Sequence, residues 1–228
     1  GKSEASCLTR YNLFIFQNKR DEAIRYLSDF DKENGTPRTA TILGDYYTSV
    51  QNDSLAMEYY TKAISIEPSY VPAIFGQAEL HRIKSRFGPY FRSMIPLMAN
   101  PVVTAEMKVD YLSQIISNQR FVETFLPQVD TLVSNMYYAH PGDSSSTYLY
   151  ARYMAQTGRV EQATKALEEN LEYFGESRAA HREYLSLLYF NENCDKIISN
   201  IENYPLMFAY DPGLLEIKCL AYVQKDMI

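Results

Sequence analysis

Apolar residues recur along the chain at steps of three and four, and polar positions fill the gaps between them. Leu43, Tyr46, Tyr47 and Val50 share one helical face, while Ala56, Tyr59, Tyr60, Ala63 and Ile64 share another. The polar stretch Gln51–Asn52–Asp53 between them predicts a tight turn, with Asp53 or Ser54 capping the second helix. Pro68 closes the run. Residues 37–70 therefore predict a pair of short amphipathic helices, each with one face to bury.

The same pair recurs elsewhere. Asn18–Phe30 repeats the start of a second helix, with Ala23 in the place of Ala56. Thr157–Leu171 repeats it around Ala163, and Asn191–Ile201 around Ile197. Ser117–Val129 is a weaker copy that puts Thr124 in this column. The matching first-helix column reads Tyr11, Gly44, Ala78, Leu112, Ala151, Leu185 and Cys219. Its steps are 33 or 34 residues, except for 39 between Leu112 and Ala151.

This pattern resembles the tetratricopeptide repeat (TPR) family. Leu43, Gly44, Tyr47, Ala56, Tyr60, Ala63 and Pro68 all stand where that motif wants them, and Ala40 departs where the family usually has tryptophan. The resemblance implies an all-α fold, a right-handed α-solenoid of stacked antiparallel helix pairs. The expected units are 4–36, 37–70, 71–104, 105–143, 144–177 and 178–211, with the first helix of a seventh at 212–228. Small residues such as Gly44, Ala78, Ala151, Ala56 and Ala163 would let paired helices approach, and one pair alone cannot bury its apolar face. Twenty tyrosines then serve as packing between pairs.

Three irregularities carry expectations of their own. Pro96 and Pro127 fall inside second helices and should kink or shorten them. The five extra residues before unit five predict a longer surface loop over Tyr137–Ser146. CLAYVQKDMI aligns with Ala151–Val160, so the chain would stop at a turn, with Gly1 the scar of a removed tag. An uncovered apolar face on that last helix would favour a homodimer.

Composition narrows the chemistry. A net charge of −6 gives no electrostatic reason to expect nucleic acid. No apolar run approaches the roughly 20 residues of a membrane span. Cys7, Cys194 and Cys219 have no CxxC spacing, and His81, His140 and His181 stand apart from one another and from the cysteines. No phosphate-binding glycine loop or GxSxG nucleophile occurs, and Glu168 and Glu169 fall on an exposed helical face. These observations predict no catalytic residue, no metal and no cofactor. Compartment stays open, and the general look is bacterial.

In TPR proteins the first helices line a concave groove that receives an extended peptide or a partner helix. By that resemblance the groove would carry Asn12, Ile15, Phe16, Asp45, Thr48, Ser49, Glu79 and Arg82 in the N-terminal half. The C-terminal half would supply Tyr148, Arg152, Arg182, Ser186, Tyr189 and Phe190. Tyr148, Arg152, Arg182 and Tyr189 form the sharpest cluster, suited to a carboxylate or a peptide backbone. A subclass that clamps acidic chaperone tails is not matched: Asn12 fits, but Leu8, Asp45, Pro72 and Gly76 replace its basic or amide positions. The expected function is a non-enzymatic scaffold for a protein or peptide partner. The alternative is a sensory or docking segment of a longer signalling or enzyme-bearing protein.

Overall fold

The computed structural model describes residues 3–208 and 211–225, and among these every regular element is a helix. Gly1 and the closing Asp226–Ile228, on which the tag and final-turn expectations fall, lie outside the described residues. The chain divides into two compact units, Gly1–Leu97 and Met98–Ile228.

The first unit holds α1 (Glu4–Phe16), α2 (Arg20–Asn34), α3 (Pro37–Ser49), α4 (Asp53–Ile66), α5 (Val71–Ile83) and most of α6 (Phe87–Ala99). Helix α1 packs on α2, α3 on α4, and α4 on α5. Ala23, Leu27, Leu43, Ala56, Ala63 and Ala78 are fully buried, so the small-residue columns lie where helices cross. Burying a leucine side chain is worth about 1.5–3 kcal/mol. Isolated helices of this length are marginal in water, so packing supplies the stability. Pro96 is accommodated inside α6.

In the second unit α7 (Ala105–Ser117), α8 (Gln119–Thr124) and α9 (Leu126–Ala139) lead into α10 (Ser144–Gln156) and α11 (Val160–Phe174). Helices α12 (Arg178–Phe190), α13 (Cys194–Asn203), α14 (Pro205–Phe208) and α15 (Pro212–Gln224) follow. Helix α10 packs on α7 and α11, α11 on α12, and α15 on α12 and α13.

The turns inside the pairs share one backbone device. Asn18, Gln51, Ser85 and Glu192 adopt φ between 55° and 59°, and Gly158 adopts 79°. Each is the second of three residues between paired helices, so a left-handed residue recurs at the repeat spacing. The turn after α3 is capped by Asn52, whose side chain accepts from the Leu55 N–H at 3.3 Å, and not by Asp53 or Ser54.

The pair beginning with α7 departs from this scheme and corrects two expectations. Its turn is the single residue Asn118, which caps α8, and no left-handed residue occurs there. The turn is two residues shorter than its counterparts, so Val122 takes the buried column and Thr124 is exposed. Pro127, at the second position of α9, cannot donate to a preceding turn, and the helix breaks at Phe125. The helical stretch 119–139 is six residues longer than α11. The five extra residues are thus taken up in a broken helix, not in a long loop. Helix α9 runs to Ala139, and only residues 140–143 separate it from α10.

Candidate partner groove

In the first unit the tyrosine pairs of residues 46–60 are packing groups. Tyr47 and Tyr59 stack with ring centroids 5.4 Å apart. Tyr60, 2 % exposed, passes from α4 between α3 and α5. Its ring lies so close to Gly44 and Gly76 that a Cβ at either position would come within 2.7 Å or 2.5 Å of it. The Tyr60 hydroxyl donates to Asp45 Oδ1 at 2.7 Å and lies 3.2 Å from Thr48 Oγ1. Burial pushes the Tyr60 phenol well up and also raises the Asp45 carboxyl, against the pull of the Tyr60 hydrogen bond.

Most of the expected groove residues in this unit are therefore engaged within the fold. Asp45 and Thr48 hold Tyr60, and Ser49 accepts from Arg20 Nη2 at 2.8 Å. Glu79 and Arg82 bond one another, with Arg82 Nη2 to Glu79 Oε2 at 2.8 Å. Asn12, Ile15 and Phe16 remain exposed on α1, and Phe16 is 86 % accessible.

The second unit contains an open cleft of about 480 Å³. Three successive first helices wall it: α7 through Val109 and Ser113, α10 through Tyr148, Arg152 and Gln156, and α12 through Glu183, Ser186, Leu187 and Phe190. Leu149 and Leu167, both buried, form part of its floor. Phe190 stands 82 % exposed at the rim, with Tyr189 edge-on to it at 6.0 Å. Arg152 is exposed and makes no ion pair among the described residues.

The cleft holds part of the residue set expected in the C-terminal half, and only Tyr148 and Arg152 of its four-residue cluster. Tyr148, Arg152, Ser186 and Phe190 line it; Arg182 and Tyr189 do not. Arg182 Nη2 binds Asp211 Oδ2 at 2.5 Å, while Asp211 Oδ1 caps α15 by accepting from Gly213 and Leu214. Arg182, joined by those N–H groups, holds the Asp211 carboxyl below the usual range. This arginine anchors the start of α15 and is already paired. Val109 and Ser113 escaped the sequence reading because the α7 pair is the degenerate copy. Glu183 escaped because the motif pointed to its neighbour Arg182.

Among the described residues no three His, Cys, Asp or Glu side chains gather as a metal site. No described helix is long and apolar enough to cross a membrane. Carboxylates that sit beside tyrosines act as anchors for them. Tyr153 donates to Asp130 at 2.6 Å, and Arg159 binds the same oxygen at 2.6 Å. Tyr184 donates to Glu168 at 2.9 Å, with Lys196 on the same oxygen at 2.7 Å.

The 33- and 34-residue succession of antiparallel helix pairs is the architecture of a TPR-like helical repeat. No family model and no curated protein matches the sequence. Similar solved structures include the MamA RS-1 ArsTM double mutant, at 10 % identity over 96 % of each chain with a TM-score of 0.37. A second is TTC0263, a thermophilic TPR protein of Thermus thermophilus, at 14 % identity over 82 % of this chain and 97 % of that one, TM-score 0.36. A third is the Cut9–Hcn1 hetero-tetramer of APC/C, at 14 % identity over 87 % of this chain and 39 % of that one, TM-score 0.39. At these scores the likeness bears on neither partner nor activity.

Proposed function

We propose that the protein is a non-enzymatic scaffold, and that the cleft between α7, α10 and α12 receives an extended peptide segment of a partner protein. The observation that carries this reading is the unpaired Arg152 beside a largely apolar floor, with Phe190 exposed at the edge. Exposed aromatic and arginine side chains around a concave surface are what interface anchors consist of. Serine and glutamine side chains along the walls offer hydrogen bonds to a peptide backbone.

Selection from a random peptide library against the full chain tests the proposal. Captured peptides should lose about tenfold or more in affinity on Arg152→Glu or Phe190→Ala, the scale of one anchor residue. Arg182→Glu should leave their affinity unchanged, because Arg182 serves α15. Peptides indifferent to Arg152→Glu and Phe190→Ala would remove the cleft from the account.

A further inference from the structure

Lys108, near the start of α7, is 1 % exposed and makes no ion pair among the described residues. Its Nζ donates to the Asn100 carbonyl at 2.7 Å and lies 2.9 Å from Nε2 of His140. A buried ammonium with no carboxylate depends on its hydrogen-bond acceptors for compensation. An ammonium has only donors, so His140 Nε2 must be bare and the ring neutral. The ring is also hydrogen-bonded to the backbone of Val103. His140, in the turn after α9, thus grips Val103 in the stretch that leads into α7 and Lys108 in the first turn of that helix. Its own carbonyl accepts from the N–H of Asp143, the residue that caps α10.

We propose that Lys108 and His140 form a proton-controlled clasp. With His140 neutral it ties the start of α7 to the turn before α10, and with His140 protonated it opens. A second ring proton turns the acceptor into a donor and sets two cations against each other. Burial and then Lys108 lower the His140 pKa, while the Val103 bond and Asp143 pull it the other way. Burial brings Lys108 down to about 8, so it stays charged where His140 titrates.

The charged groups on the adjoining elements are otherwise disposed. Glu106 and Asp110 on α7 are exposed, and Glu123 on α8 accepts from Gln119. Asp130 on α9 is bound by Tyr153 and Arg159. From α10 the facing charge is its cap, Asp143. Acid therefore acts through this pair and loosens the first turns of α7 and α10. The clasp stands on these contacts whatever occupies the cleft.

The test is a histidine-ring NMR titration of the full chain, with hydrogen-exchange protection factors followed from about pH 7 to pH 5. His140 should titrate below about 6.5, and amides in the first turns of α7 and α10 should lose protection as it does. The loss is about tenfold for each unit by which its pKa lies under the unfolded value. His140→Gln keeps an acceptor that does not titrate, so protection there should stay flat. Lys108→Met should move the His140 midpoint upward. The clasp is overturned if His140 titrates at or above its ordinary value, if His140→Gln loses protection equally, or if Lys108→Met leaves the midpoint in place.

Discussion

Gly76→Ala should destabilise the first unit even though it replaces glycine inside a helix. In an exposed helix interior that change gains about 0.8–1 kcal/mol. Here the new Cβ would lie 2.5 Å from Tyr60 Cε1 and 2.6 Å from Cζ. The ring has little freedom to yield: it is 2 % exposed, a Cβ on Gly44 would also come within 2.7 Å of it, and its hydroxyl is bound to Asp45. Overpacking of this kind costs about 1–3 kcal/mol, which outweighs the propensity gain. The expected net loss is up to about 2 kcal/mol. Tyr60→Leu removes the offending ring atoms, and in that background Gly76→Ala should become stabilising by about 0.5–1 kcal/mol. Urea denaturation of the four proteins, read from shifts in midpoint at constant slope, measures both signs. Gly76→Ala with the same sign in both backgrounds would show that the threaded ring does not set the need for glycine.

Gly158→Ala isolates the opposite cause: no atom lies within 4 Å of the added Cβ, but φ is 79°. A left-handed alanine should cost about 1–2 kcal/mol in chemical denaturation, with no rescue by any neighbouring substitution. Lys108→Met should gain on the order of 3 kcal/mol near neutral pH relative to its difference from wild type above pH 10.5, the cost of holding the Lys108 proton in a site where the pKa is about 8 instead of 10.5. Between those two values the unfolded chain binds the extra proton, so wild-type stability rises with pH across that window. The advantage of Lys108→Met should fade over the same range in thermal melts, and a constant difference would refute it.

The helix pairs were legible because their determinants are local. Leu43, Gly44, Ala56 and Ala63 announce a close-packed pair, and all four are buried. Gly76 was harder, since what it accommodates is a ring contributed by another helix pair. The α7 pair was illegible for a different reason. Periodicity cannot tell a five-residue loop from a broken helix, and the shortened turn at Asn118 moved the buried position from Thr124 to Val122. The outward faces of the first helices were legible from periodicity, and Tyr148, Arg152 and Ser186 on those faces line the cleft. Their engagement was not legible. Whether Arg182 or Asp45 is free depends on Asp211 and Tyr60, partners that sequence spacing does not reveal.

Tyr60 has one more consequence, for where the chain can be divided. A repeat boundary at residues 70 and 71 invites cutting between α4 and α5, yet the ring of the earlier repeat is seated against Gly76 of the later one. A fragment ending at residue 70 would leave that aromatic face to water, and one beginning at residue 71 would carry an empty notch. The smallest piece able to stand alone is therefore out of step with the repeat, and it closes only after the first helix of the next.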